Sequence, residues 1–178
     1  RQDNVEAYIE NGKVNLEMHK IYDAQKNFTK AYELQPSNPE VIKQMAQLYF
    51  NNRQFQKAME FAQKCTTCPD VDRIVGMCYY QTEDYGKAQT YLQKAIAKND
   101  KDAESAYTLG RTFLELENEK RALPQYQKAI ALDTSKNAWR NELGLIYYNQ
   151  GDYKNALKYF NQAADAGYNK SNDFNENY

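Results

Sequence analysis

The sequence predicts an all-α fold, a right-handed superhelical solenoid of stacked antiparallel helix pairs, and three observations carry that prediction. Glycine (7) and proline (4) are scarce while Tyr (16), Ala, Gln, Lys and Glu are plentiful, the balance of helices joined by short connections. A pattern of small and aromatic residues recurs about every 34 residues along the chain. Within each period, two amphipathic stretches of roughly 12–14 residues carry apolar residues at i, i+3, i+4 and i+7. A single pair cannot bury its apolar face, so pairs must stack, and stability is set between nearest neighbours.

The elements follow in order. The first repeat, 5–38, carries the pattern at Gly12, Ala24, Phe28, Ala31 and Pro36, and the second, 39–68, at Ala46, Tyr49, Phe55 and Ala58. The third, 69–102, shows Gly76, Tyr79, Tyr85, Ala88, Leu92 and Ala95, and the fourth, 103–136, shows Gly110, Phe113, Ala122, Tyr126 and Ala129. The fifth, 137–170, is the clearest, with Leu-Gly-x-x-Tyr ending at Tyr147, Gly-Asp-Tyr from Gly151, then Ala156, Phe160 and Ala163. The alanine before the aromatic falls at 24, 58, 88, 122 and 156, so the gaps are 34, 30, 34 and 34. Adding 34 to Gly144 lands on Tyr178, which predicts a partial sixth helix over 171–178. The turns 83-EDY-85, 117-ENE-119 and 151-GDY-153 each hold a helix-capping residue. The Gly and Ala columns let paired helices approach closely, and the aromatic columns fill the space between pairs. Pro124 lies about six residues into the second helix of the fourth repeat, which predicts a kink or a late helix start.

This pattern resembles the tetratricopeptide repeat family, whose unit of about 34 residues carries W-x2-L-G-x2-Y…A-x3-F…P. The resemblance covers residues 5–170 in five copies. The Trp position holds Tyr8, Ile42, Asp72, Ala106 and Arg140, and the closing proline is clear only at Pro36. The resemblance implies that the first helix of each repeat lines a concave groove in which an extended peptide or partner segment lies. Carried over by register, the groove residues are Lys43, Gln47, Phe50 and Asn51, then Arg73, Met77, Tyr80 and Gln81. The fourth repeat adds Tyr107, Arg111, Leu114 and Glu115, and the fifth Asn141, Leu145, Tyr148 and Asn149. Phe50, Tyr80, Leu114 and Tyr148 form a ladder that either holds an apolar anchor or packs between adjacent first helices. Members that grip acidic chaperone tails place Lys and Asn, then Asn, then Lys and Arg on successive first helices. Here those positions hold Lys43 and Gln47, Ile74, then Glu104 and Thr108, so no chaperone-type carboxylate clamp is expected.

The implied function is a non-catalytic protein–protein interaction scaffold, a segment of a larger bacterial-type array that binds a peptide or partner protein along its concave groove. The alternative is a structural module that self-assembles, as a homo-oligomer, through exposed end repeats or the groove. Lys+Arg 23 against Asp+Glu 24 leaves a net charge of -1, without the basic excess that supports nucleic-acid binding. No apolar run approaches the 18 or more residues of a membrane span. The chain starts at Arg1 with no leader pattern, as a processed or partial chain would, and a soluble protein of cytoplasmic or periplasmic location fits equally. Catalysis needs convergent acids, bases or nucleophiles, and the single histidine, His19, falls in a turn. No phosphate loop, triad order or His-x-x-x-His is present, so no catalytic, cofactor or metal residues are expected. The sequon 27-NFT-29 falls on a predicted helix facing a packed column, where a glycan is hard to accommodate.

The short gap holds all three cysteines, in 63-QKCTTCPDVDRIVGMCYY-80. Zinc needs four ligands, and His19 lies about 20 Å from Cys65 and Cys68 along a helix pair, so no metal site is expected. A redox pair needs its reactive thiol at a helix N-terminus, whereas Cys65 falls near a C-terminus. Only Cys68, just before Pro69 and Asp70, keeps a claim to reactivity. An odd number of cysteines favours reduced thiols. Register places Cys65 in the column of Ala31 and Ala95, Cys68 with Leu34 and Leu132, and Cys78 with Leu48 and Ile146, all as small buried hydrophobes. The four-residue deletion ends one helix about a turn early, starts the next with Asp70 as its cap, and predicts a change of curvature there.

Overall fold

A computed structural model describes residues 2–65, 68 and 70–165. Among them every regular element is a helix, and the helices fall in pairs. These are α1 (Gln2–Glu17) with α2 (Ile21–Leu34), α3 (Pro39–Asn51) with α4 (Phe55–Gln63), and α5 (Val71–Gln81) with α6 (Tyr85–Lys98). They continue with α7 (Ala103–Glu115) and α8 (Glu119–Leu132), then α9 (Asn137–Asn149) and α10 (Tyr153–Asp165). The five pairs match the five sequence repeats in number, with α1 beginning at Gln2, before residue 5, and the helices of each pair pack on each other. The expected sixth helix lies outside the described residues. The chain divides into two compact units, Arg1–Asp100 and Lys101–Tyr178.

The small and aromatic columns meet as steric partners. A Cβ on Gly76 would stand 2.8 Å from Leu92, on Gly110 2.8 Å from Tyr126, and on Gly144 2.6 Å from Phe160, and one on Gly12 would overlap Phe28. Each glycine faces the bulky residue sixteen positions later, on the second helix of its own pair. The second repeat keeps the same balance differently: Ala46 replaces the glycine and Ala62 replaces the bulky partner, and both are buried. Successive pairs then join through apolar clusters. Val41 and Met45 of α3 pack with Val5, Ile9, Phe28 and Ala31 of the first repeat. Ile74, Val75 and Cys78 of α5 pack with Ala46, Met59 and Ala62 of the second. In the second unit Leu109, Phe113, Tyr126, Trp139 and Leu143 are buried.

All five turns within pairs share one geometry. The second residue after the first helix takes a positive φ: His19 (56), Arg53 (57), Glu83 (63), Glu117 (54) and Gly151 (77). The next amide bonds back five residues, as in Asp84 N to Tyr79 O at 2.9 Å and Asp152 N to Tyr147 O at 2.9 Å, which satisfies the last helical carbonyls. Asp84, Asn118 and Asp152 then cap the following helices, accepting from the amides of Lys87, Arg121 and Asn155. Only one of the five positive-φ residues is glycine, so the turn type was hidden from composition.

Four local expectations need correction or refinement. Helix α8 starts at Glu119 and continues through Pro124, so there is no late start; the proline leaves the Lys120 carbonyl without its intrahelical donor. Asp70 occupies the N-cap position of α5, but its side chain makes no capping bond. Its carboxylate instead pairs with Lys43 at 2.8 Å. The deletion shortens α4 to 9 residues, so Cys65 and Cys68 lie beyond the helix rather than in it. The two are joined in a disulfide with Cα atoms 5.5 Å apart, which replaces the expected reduced thiols. Their burial is as expected, in a cluster with Ile42 that Tyr32 and Val71 flank. Cys78 is free and buried, and burial pushes its thiol up to about 12.

Candidate partner-binding site

The first helices α3 and α5 touch each other within the first unit, so their outward residues form one surface. Lys43, Gln47, Phe50, Arg73, Met77 and Tyr80 are half-buried on it, and Asn51 and Gln81 are exposed. In the second unit Tyr107, Arg111, Leu114 and Asn141 are half-buried, and Glu115, Leu145, Tyr148 and Asn149 are exposed. These are intermediate environments, with room for contact and enough packing to hold a side chain in place.

Ion pairs and amide bonds order the polar part. Lys13 of α1 reaches Glu40 of α3 at 3.3 Å, and Lys43 of α3 reaches Asp70 at 2.8 Å, so each bridge spans from one first helix to the start of the next. Burial opposes ionisation of Glu40. Hydrogen bonds from Gln44 and Lys13 and the charges of Lys13 and Lys43 outweigh it and hold the carboxyl below its ordinary value. The bond to Glu10 raises Lys13 most; burial opposes it, and the bond to Glu40 with the two carboxylate charges keeps Lys13 above its ordinary value. Gln47 donates to Asn51 at 2.8 Å. The surface therefore carries mixed, internally compensated charge rather than a single-sign field. Ile74 and Thr108, two of the positions a carboxylate clamp would use, are buried.

The aromatic ladder is held from the turn side. Phe50 lies 5.6 Å from Phe55, Tyr80 5.7 Å from Tyr85, and Tyr148 5.5 Å from Tyr153, each pair bridging the turn of its own repeat. Phe50 also leans on the cluster between the second and third repeats.

Tyr107 sits differently from the other groove residues. Its ring stacks on Trp139 at 4.5 Å and its hydroxyl donates to Glu142 at 2.7 Å. Tyr126 donates to the other oxygen of the same carboxylate at 3.0 Å. Burial and the neighbouring negative charge push both tyrosine hydroxyls well above their ordinary value. Sequence reading missed this network because it took Arg140 for the Trp position, whereas Trp139 stands one residue earlier, in the buried column of Val41 and Ser105. A signal was present: Glu142 shares its column with the buried Ile74 and Thr108, so a carboxylate there had to find donors.

His19 is exposed in its turn, and Asn27 of the sequon donates to the Asp23 carbonyl at 2.8 Å. Among the described residues no group of three or more His, Cys, Asp or Glu is placed to hold a metal ion. No described helix is long and apolar enough to cross a membrane.

Helix pairs joined through a repeated interface, with ordered but accessible first helices, define a helical-repeat scaffold of the kind used in protein–protein interaction. Tetratricopeptide repeat models match residues 76–136 and 107–170, and again 44–67, more than half of the chain. The chain belongs to the tetratricopeptide repeat family. It is similar to the anaphase-promoting complex subunit CDC16 of Saccharomyces cerevisiae, 22% identical over 134 residues, covering 69% of this chain but only 16% of that protein. Among solved structures, Pseudomonas aeruginosa PilF superposes with a TM-score of 0.85 at 20% identity, covering 97% of this chain and 80% of that one. YrrB, described as a TPR protein with an unusual peptide-binding site, has a TM-score of 0.65 at 20% identity, covering 89% and 84%. At these identities the structural likeness establishes the fold.

Proposed function

We propose that this chain is a non-catalytic scaffold, one segment of a larger bacterial-type array, that holds an extended peptide or partner segment along its first helices. The observation that supports the reading is the surface of α3 and α5, where Lys43, Gln47, Phe50, Arg73, Met77 and Tyr80 all remain partly open. Amides and compensated ion pairs offer directional hydrogen bonds to a peptide backbone, and Phe50 and Tyr80 offer apolar contact at a spacing set by the repeat. The peptide-binding site named for YrrB is in keeping with it. A tail ending in Glu-Glu-Val-Asp is not a ligand on this reading, because buried Ile74 and Thr108 replace the clamp residues.

The test is selection of binders from a random peptide library, followed by mapping of amide shift changes on the full chain. The expected footprint includes Lys43, Gln47, Arg73 and Tyr80. A footprint confined to α4 and α6 would overturn the groove reading.

A further inference from the structure

The turn of the second repeat carries charge that the third repeat reverses or cancels. Arg53 stands where the third and fourth repeats have Glu83 and Glu117, and Gln54 stands where the third has Asp84 and the fifth Asp152. Lys57 shares its column with Lys87; Asp84 neutralises Lys87 at 2.7 Å, whereas Gln54 has no charge to offer Lys57. Residues 41–59 hold Lys43, Arg53 and Lys57 without one Asp or Glu, and Lys43 is taken by Asp70. Arg53 and Lys57 are exposed, and neither forms an ion pair among the described residues. The Arg53 guanidinium lies 5.8 Å from the centre of the Phe55 ring and the Lys57 ammonium 5.6 Å from that of Tyr49, so aromatic rings hold both cations without neutralising them. With Gln54, Gln56 and, from the next turn, Thr82, the residues Arg53, Phe55 and Lys57 line an open cleft of about 400 Å³. No carboxylate lines it, and Glu60, the next acid along α4, accepts from Gln56 at 3.4 Å.

We propose that this cleft is a second docking site, for an acidic peptide segment that carries an apolar side chain between its carboxylates. Charge complementarity selects the occupant. Arg53 presents paired donors that match one carboxylate, and Lys57 presents a point charge to another. The half-buried Phe55 ring shares the cleft with them and offers contact to the apolar side chain. Thr82, whose hydroxyl donates to the Cys78 carbonyl at 3.1 Å, can still accept from a peptide amide. Nucleic acid fits less well, since two cations neutralise few phosphates and one ring stacks at most one base. The charged contacts are exposed, so each is weak and the complex is reversible and salt-sensitive. The site lies within the first unit, on the edge formed by the turns, and uses none of the residues assigned to the groove. The inference is therefore independent of the groove reading.

Titration of the isotope-labelled full chain with the peptide acetyl-Asp-Glu-Phe-Asp-Glu-amide tests it, over roughly 10 µM to 5 mM to span weak binding. Amide signals of Gln54, Gln56, Lys57 and Thr82 should shift and saturate. Arg53→Asn, which keeps a residue tolerant of positive φ, and Lys57→Gln should each weaken binding about fivefold, and together at least tenfold. Helical signal and melting should not change, because both side chains are exposed. Arg121→Gln removes the cation of the same column in the fourth repeat and should leave the affinity as it is. The peptide with Ala in place of Phe should bind less tightly. Absence of saturable shifts at these residues overturns the proposal, and so does an equal loss in Arg121→Gln. Equal affinity for the Ala peptide or for inorganic phosphate would reduce the cleft to an anion site and overturn it too. Tighter binding of oligothymidylate at the same residues would assign the cleft to nucleic acid instead. Shifts confined to Lys43, Gln47, Arg73 and Tyr80 would overturn this inference and leave the groove reading standing, whereas saturation here with no library-selected footprint on the groove would do the reverse.

Discussion

Replacing Gly110 by alanine adds one methyl group where the α7–α8 pair has no room for it. The new Cβ would lie 2.8 Å from Cδ2 and 3.0 Å from Cε2 of Tyr126, and 3.4 Å from the Ala122 carbonyl oxygen. Tyr126 is 1% exposed, and it cannot swing aside freely, because Tyr107 abuts its ring and its hydroxyl is bonded to Glu142. Overpacking of this kind costs about 1–3 kcal/mol. The better helix propensity of alanine returns about 1 kcal/mol. Loss of the Tyr126–Glu142 bond, if the ring shifts, adds about 1 kcal/mol to the cost. With the ring shifted, the net expectation is destabilisation by about 1–3 kcal/mol, or roughly 2–12 °C in melting temperature for a chain of this size. The same substitution at Gly86, near the start of α6, meets nothing within 4 Å. It should be neutral or stabilising by about 0.5 kcal/mol. Urea unfolding can read the second unit specifically, because the chain's one tryptophan, Trp139, stacks on Tyr107 within it. A Gly110→Ala chain at least as stable as wild type, by tryptophan fluorescence and by circular dichroism, would refute the steric account of the small column.

Other outcomes follow from the cysteines and from the tyrosine network. Thiol titration in denaturant without reductant should find one reactive thiol per chain and, after reduction, three, because Cys65 and Cys68 are paired and Cys78 is free. Three thiols before reduction would contradict the pairing. In the native chain Cys78 should label slowly at pH 8, since it is buried and its thiol is pushed up to about 12. Burial, and then the Glu142 charge, raise the Tyr107 and Tyr126 hydroxyls above the ordinary 10.0. The folded chain thus holds these protons more tightly than the unfolded one. Their contribution is intact below pH 10, where both states are protonated, and is lost as the pH climbs toward the folded values. Stability should fall between about pH 10 and 11.5 and fall less in Tyr107→Phe, with an equal decline in both chains counting against the network.

How much was legible in the sequence can be judged from particular residues. Gly76, Gly110 and Gly144, with Leu92, Tyr126 and Phe160, placed the helix pairs and their register, because a missing side chain has value only where another side chain fills the space. Ala46 and Ala62 show the same rule from the other direction. Asp84, Asn118 and Asp152 marked helix starts, because capping is a local interaction between neighbours in sequence. Asp70 occupied the same kind of position and was misread, because Lys43, 27 residues earlier, competes for its carboxylate. Of the groove residues, the exposure of Asn51, Gln81 and Glu115 follows from helical phase alone. Tyr107 shares that phase, yet its hydroxyl is taken by Glu142, a partner 35 residues away.

The sequence by itself determined the fold class, the five helix pairs and the early end of α4, since each depends on periodicity, local capping or the size of facing residues. Tertiary structure decided the rest. It decided which carboxylates cap and which bridge, that Cys65 and Cys68 meet beyond the end of a helix, and that four non-glycine residues turn with positive φ. It also decided which members of a column are covered: Val14 and Leu157 share their columns with buried residues and stay open themselves. The physical reason is that a column records what a side chain can pack against, whereas burial depends on which side chains from elsewhere in the chain come to cover it.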